Sequence, residues 1–359
     1  MRILYNSKLS QFKSPFGTLR PGETCTMHIQ IPCSCQTVHV EVRLLREDGK
    51  PYLNVPMAKT AATELYETWT AAFALDDPDL YFYFFQITTK NESFRLLKQG
   101  DDTNMEDGDW WQISVIAEEF AVPSALEGAV MYQIFPDRFA RDSSATAQRG
   151  MEHHRRMEQT VHAHADWEEP VEWQANTPEG KYAPVDFYGG TLRGIADRLP
   201  YLQKLGVTVL YLNPIFESAS NHRYDTGDYR KVDPILGTNT DFRKLCAAAR
   251  DCGIRIVLDG VFAHTGADSR YFNRFRHYPG CGAYNSSNSV YARWYDFAHY
   301  PNDYRCWWNF RDLPAINTAN PDWRKYMITG EHSVVRAWLH DGASGWRLDA
   351  VSYTHLRAH

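Results

Sequence analysis

The chain has no run of about 18 or more apolar residues, the length a membrane-spanning helix needs. Its start, Met1-Arg2-Ile3-Leu4-Tyr5-Asn6-Ser7-Lys8, lacks the apolar core of a secretory signal. No Cys-x-x-Cys pair occurs among Cys25, Cys33, Cys35, Cys246, Cys252, Cys281 and Cys306, which argues against a zinc ribbon or a dithiol redox motif. Reduced thiols in a cytoplasm are the simplest reading of that odd count. With a net charge of −6 and no Lys/Arg cluster, the chain offers no evident surface for nucleic acid or an anionic membrane. No glycine-rich phosphate loop follows a strand, which counts against a nucleotide-binding sheet.

Aromatic residues, by contrast, are plentiful: 14% of 359 residues, with eleven Trp. Many must pack, but Trp and Tyr also present the flat faces on which sugar rings stack. The length fits roughly two domains. Residues 1–122 show short alternating runs such as Thr37–Leu44, Leu80–Ile87 and Trp110–Val115, separated by turns. That spacing predicts a β-sandwich. Ala58 to Thr70 reads as a helical turn. In the Trp110-Trp111 pair, alternation makes packing the first reading and sugar contact the second.

After Pro123 the pattern changes. Val130–Phe135 reads as a buried strand, followed by a polar excursion, 140–190, with no clear periodicity. His162-x-His164 has a metal-ligand spacing, and His153 and His154 lie nearby, but a charged, mobile loop is a poor metal site. Leu192, Ile195, Ala196, Leu199, Leu202 and Leu205 share one helical face closed by Gly206. Val207–Leu212 is the next strand. Thr238 and Asp241 form a capping-box pattern ahead of Phe242, Leu245, Cys246 and Ala249, and Gly253 ends that helix. Cys246 and Cys252 are read as packing residues. Ile254–Leu258 leads to Asp259, and an excursion rich in Tyr, Trp and Asn fills about 260–318. Asn320-Pro321 then starts a helix running to about His340. Last comes Gly345-Trp346-Arg347-Leu348-Asp349. Repeated strand–helix units imply parallel strands, in a doubly wound sheet or a (β/α)8 barrel.

Strand side chains alternate faces, so Arg347 and Asp349 point one way while Trp346 and Leu348 point the other. A guanidinium beside Asp349 favours the ionised carboxylate that a glycosidase nucleophile requires. An Arg-x-Asp pair by itself is more often a structural ion pair. The Asn221–Tyr229 and Asp259–Gly266 segments supply polar groups at two further strand ends, where barrel catalytic residues sit.

Taken in order, several stretches resemble the α-amylase family, glycoside hydrolase family 13, in its neopullulanase and cyclomaltodextrinase branch. They are Met131–Phe139, Asp186–Gly190, Leu212–Phe216, the Tyr224 segment, Asp259–His264 and Gly345–Asp349. Residues 1–122 look like a family 34 carbohydrate-binding module. The resemblance implies a (β/α)8 TIM barrel over 123–351, of which only the first half, strands 1–4, is present. It implies a retaining hydrolase of α-glucosidic bonds in maltooligosaccharides, cyclodextrins or pullulan. Asp349 would be the nucleophile, Arg347 its orienting cation, Tyr224 the ring stacked on the reacting sugar, and His264 a donor to that sugar's hydroxyls. Asp259 and Asp225 would be structural support. Trp294, Trp307 and Trp308 could line further subsites or pack the excursion. Transglycosylation shares the covalent intermediate, and a non-catalytic carbohydrate-binding protein is the alternative outside enzymes.

The resemblance also carries departures. Ala263 stands where many relatives have Asn, a frequent calcium ligand, and Ala315 in Leu313–Asn317 where many have Asp or Lys; no cofactor is required. The family's general acid, a Glu after strand five, belongs beyond Asp349, and Ala350–His359 holds none. Residues 352–359 do not continue the pattern and read as a non-native tail. The chain as given is therefore expected to be an inactive fragment. A homodimer of the full-length protein is compatible with the branch.

Overall fold

The computed structural model describes residues 2–178 and 180–349. The expected tail at 352–359 lies outside them. The chain divides into two compact units, Met1–Pro123 and Ser124–His359.

In the first unit an antiparallel sheet runs in the order Lys13–Ser14, Thr24–Pro32, Tyr66–Ala74, Ala58–Ala62. A second sheet is built on Pro51–Pro56, Thr37–Arg46, Asp79–Thr89, Ser93–Gln99 and Asp102–Asn104, with Trp111–Val115 also paired to Asp79–Thr89. Alternate residues bury: Ile29 and Ile31 from one sheet meet Val40, Val42, Tyr83 and Phe85 from the other in one core. Trp111 joins that core and stacks on Tyr83, whereas Trp110 is 37% exposed. The helical turn expected over Ala58 to Thr70 is not formed. That segment is two strands, with Ala58 opposite Thr70. Pairing of Tyr66–Ala74 along Thr24–Pro32 buries Trp69, Ala71 and Phe73, and this outweighs the local preference of the alanines for helix.

The second unit carries four parallel strands in spatial and chain order: β1 (Met131–Ile134), β2 (Val209–Leu212), β3 (Arg255–Gly260) and β4 (Gly345–Leu348). Their two faces differ. Ile134, Leu210, Leu212, Ile256 and Leu258 are buried, and Trp346 packs on the same core. On the opposite face Met131, Gln133, Arg255 and Arg347 are exposed, while Val209, Tyr211 and Asp259 are buried.

Helices cover the buried face. Leu192–Asp197 and Leu199–Lys204 contribute Leu192, Ile195, Leu199 and Leu202. They are two helices rather than one, breaking at Arg198 just ahead of Pro200, and Leu205 lies past the end, 54% exposed. Asn239–Asp251 has the expected capping box between Thr238 and Asp241, worth about 1 kcal/mol, and buries Phe242, Leu245, Cys246 and Ala249. Cys252 sits just beyond it, half-buried. The helix expected from Pro321 to about His340 is interrupted. Pro321–Arg324 widens into Lys325–Thr329, the chain turns at Gly330, and Val334–His340 restarts on a Ser333 cap.

The polar excursion after β1 also differs from its reading as a loop. Thr146–Arg156 is a helix, burying Ala147, Met151 and His154. Its apolar face is narrow, so its charged residues hid the period.

Candidate active site

The carboxyl ends of β3 and β4 bring Asp259, Arg347 and Asp349 together. Asp259 lies opposite Arg347 in the ladder, and the N–H of Asp349 donates to the Gly260 carbonyl at 3.1 Å. One Arg347 nitrogen, Nη1, donates to Asp349 Oδ1 at 2.6 Å and to Asp259 Oδ1 at 3.0 Å. The other oxygen of Asp259 accepts from the Tyr211 hydroxyl and, at 3.0 Å, from the Tyr224 hydroxyl. Asp259 itself is fully buried. Burial pushes its carboxyl above the ordinary range, against the Tyr211, Arg347 and Tyr224 bonds that favour its anion. Burial and the Asp259 carboxylate push the Tyr224 phenol up to about 12, so it remains a proton donor at neutral pH.

Tyr224 reaches this cluster from the loop joining two antiparallel strands, Phe216–Ser218 and Thr226–Val232. Asp225 accepts from the Ser218 hydroxyl at 2.6 Å and from the Ser220 hydroxyl, tying the loop to itself. Arg223 is held in a left-handed conformation, φ +63, and is wholly buried. Its guanidinium donates to the Asn221 carbonyl at 2.6 Å and to Asp233 Oδ1 at 3.3 Å. His154 Nε2 lies 3.3 Å from the other Asp233 oxygen. Burial alone would disfavour the Asp233 anion, but Arg223 and His154 bring the carboxyl well below its usual range. Three buried ionisable groups thus fix the backbone next to Tyr224.

His264 approaches from the loop after β3. Gly266 permits this, because a Cβ there would stand 2.5 Å from the Asp225 carbonyl. The buried Tyr229 hydroxyl lies 2.6 Å from the Val261 carbonyl and 2.8 Å from that of His264, pinning the loop from below. His264 Nε2 is 3.1 Å from the Tyr224 carbonyl, so that nitrogen carries the proton, and the buried Nδ1 has no hydrogen-bond partner among the described residues. Burial holds the imidazole below its ordinary pKa, so it is neutral at pH 7.

The remaining candidates separate clearly. Trp294 is buried among Tyr271, Trp323 and Tyr326 and packs the excursion. Trp307 is half-buried beside His264, and Trp308 is 72% exposed. His164 stacks on Tyr188 and sits 3.2 Å from Asp186, while His162 meets Glu172. Among the described residues no group of three or more His, Cys, Asp or Glu could hold a metal ion. The Ala263 carbonyl accepts from the Ile316 N–H at 2.9 Å.

Three contributors escaped the sequence reading. Tyr211 looked like one more apolar residue of β2, although a hydroxyl on the face that also carries Asp259 was a usable signal. Asp233 and His154, far apart in sequence, gave none.

An open parallel sheet whose strand ends carry an arginine–carboxylate cluster, overlooked by an aromatic and a histidine loop, is an α/β arrangement of the barrel-enzyme kind. The family model described as alpha amylase, catalytic domain, matches residues 133–358, and the chain belongs to that family. It is 36% identical to an amylopullulanase of Thermoanaerobacterium saccharolyticum, across 96% of this chain and 30% of the relative. It is 30% identical to the intracellular maltogenic amylase of Bacillus subtilis (strain 168), across 88% of this chain and 53% of the relative. Among solved structures, the type III pullulan hydrolase from Thermococcus kodakarensis superposes with a TM-score of 0.56 at 23% identity, covering 99% of this chain and 57% of that one, a likeness of fold. The chain therefore spans about a third to a half of the length of these curated relatives.

Proposed function

We propose that the chain carries the nucleophile half of a retaining α-glucan hydrolase. The observation that supports this most directly is Arg347 bridging Asp349 and Asp259 at the ends of adjacent parallel strands. In this reading the four strands are the first half of a (β/α)8 barrel, and the face that carries Asp259 and Arg347 is its interior. The 1–122 sandwich is a carbohydrate-binding module, and 260–318 a subdomain beside the site.

Asp349 attacks the anomeric carbon of an α-linked glucose, forming a C–O bond as the glycosidic C–O bond breaks. Arg347 orients the carboxylate through its 2.6 Å bond to Oδ1. Asp259 fixes Arg347 and the Tyr224 hydroxyl without touching the sugar, while the Tyr224 ring supports the reacting pyranose. For His264 to bond a sugar hydroxyl, its Nε2 must exchange the Tyr224 carbonyl for that hydroxyl, or Nδ1 must be uncovered. Departure of a sugar alkoxide needs a second carboxylic acid about 5–5.5 Å from the nucleophile. Water or a second sugar then accepts the glycosyl group, giving hydrolysis or transfer. The reading requires no cofactor. Maltooligosaccharides, cyclodextrins and pullulan are the substrate class, and the amylopullulanase and maltogenic amylase relatives support it. Cytoplasmic action is supported by the intracellular relative and by seven unpaired cysteines. No helix among the described residues is long and apolar enough to cross a membrane.

α-Glucosyl fluoride tests the reading on residues 1–359, because fluoride leaves with little need of an acid. Fluoride release is expected from the chain and not from Asp349→Asn. Equal release from both removes the assignment.

A further inference from the structure

A second cleft, of about 320 Å³, shares no residue with the cluster at Asp349. It opens where the Thr146–Arg156 helix meets the helices Leu192–Asp197 and Asn239–Asp251. Arg149 and His153 line it from the first helix, Arg193 from the second and Lys244 from the third. Three cations from three separate elements thus converge in a chain whose net charge is −6. No Phe, Tyr or Trp is among the described residues that line it, so a sugar ring finds no flat face there.

These cations are largely uncommitted. Lys244 is exposed and makes no hydrogen bond or ion pair among the described residues. Arg149 makes one long bond, 3.4 Å from Nη2 to the Thr146 hydroxyl. Arg193 donates from Nε to Asp241 Oδ1 at 2.9 Å, and neither of its Nη groups meets an acceptor among the described residues. Asp241, the carboxylate in the wall, is buried, and its other oxygen accepts from the Thr238 N–H at 3.0 Å and the Thr238 hydroxyl at 2.6 Å. Buried polar atoms are usually paired, yet His153 Nε2 has no hydrogen-bond partner among the described residues. Like charges gathered from separate elements repel one another, and an anion between them reverses the sign of that energy. The backbone beneath is fixed. A Cβ on Gly150 would stand 2.3 Å from the Pro234 carbonyl, so the first helix rests directly on that segment, and His154 on the same helix meets Asp233. Thr238 already caps the Asn239–Asp251 helix, so side chains rather than the helix end supply the site.

We propose that this cleft binds the phosphate group of a small phosphorylated metabolite, held by Arg149, Arg193 and Lys244. Guanidinium forks match phosphate oxygens, and a lysine adds a point charge. The Thr240 hydroxyl accepts from Arg243 at 2.9 Å and so keeps its own proton to donate. The volume is that of a small-molecule pocket and leaves room beside the phosphate for a body such as a hexose. The inference goes beyond the glycosidic reading and stands without it, since none of these residues belongs to that site.

Calorimetry on residues 1–359 at constant ionic strength tests it, with glucose 6-phosphate, inorganic phosphate and glucose as probes. One equivalent of glucose 6-phosphate is expected to bind, and inorganic phosphate, but not glucose, to displace it. Displacement at equal concentration identifies free phosphate as the ligand, and displacement that needs about tenfold more identifies an ester. Arg149→Ala and Lys244→Ala are each expected to weaken the ester about tenfold, the size of one lost charge-assisted contact, while Lys244→Arg retains most of the affinity. Both side chains are exposed and lie outside the glycosidic site, so Tm and fluoride release from α-glucosyl fluoride stay as in the parent. No binding of either phosphate up to about 10 mM, or affinity unchanged in both alanine variants, overturns the site. Displacement of the ester by glucose also overturns it. Asp349→Asn leaves phosphate binding intact, so the two readings fail separately.

Discussion

A single nitrogen of Arg347 stands 2.6 Å from Asp349 Oδ1 and also reaches Asp259 at 3.0 Å. The two carboxylates differ in setting. Asp259 is buried and accepts from the Tyr211 and Tyr224 hydroxyls, whereas Asp349 is only partly covered. One is thereby committed to holding the cluster, and the other keeps an oxygen that no described residue bonds.

Tyr224 joins both parts, through its ring and through its hydroxyl on Asp259. Tyr224→Phe should keep the ring and lower fluoride release from α-glucosyl fluoride by less than about tenfold. Tyr224→Ala should lower it about a hundredfold, as expected when a reacting sugar loses its positioning. Equal losses would assign the role to the hydroxyl.

The buried group Arg223, Asp233 and His154 predicts a stability effect with a defined pH dependence. The folded-state pKa of Asp233 is depressed, so its contribution is present above the ordinary carboxylate pKa near ~4 and is lost as pH falls through the lower folded value. Asp233→Asn leaves Arg223 buried without its counter-charge and should cost about 3 kcal/mol at neutral pH. Below pH ~4 the gap between variant and parent should narrow. Denaturant melts across pH check this, and a gap that widens with acid would contradict it.

The first unit has its own continuous core, so it should survive on its own. Limited proteolysis is expected to leave a stable product ending near Pro123, with a cooperative thermal transition. Cleavage scattered through Thr24–Thr89 would mean that its two sheets do not support one another.

Much of this arrangement was legible in the sequence because it follows from short periods. Alternation placed Arg347 and Asp349 on one side of a strand, and their 2.6 Å bond agrees. The Thr238–Asp241 capping box and the apolar stripe behind it appear as read. What escaped depends on contacts distant in sequence. The strand over Tyr66–Ala74 exists because Thr24–Pro32 pairs with it, not because of its own composition. The helix over Thr146–Arg156 is fixed partly by close approach: a Cβ at Gly150 would stand 2.3 Å from the Pro234 carbonyl. Tyr211 acquires its role only once β2 lies beside β3, and the break between Thr329 and Val334 comes from Gly330 and the Ser333 cap overriding a continuous helical pattern.

The central claim is that Asp349 forms a covalent bond to the sugar. 5-Fluoro-α-D-glucosyl fluoride tests this, since its fluoride leaves readily and the ring fluorine slows turnover of the glycosyl-enzyme. Peptide mapping by mass spectrometry after incubation with residues 1–359 should find one fluoroglucosyl adduct, on Asp349, and none in Asp349→Asn. An adduct on Asp259 or Asp225, or a folded chain that stays unlabelled, would contradict the account.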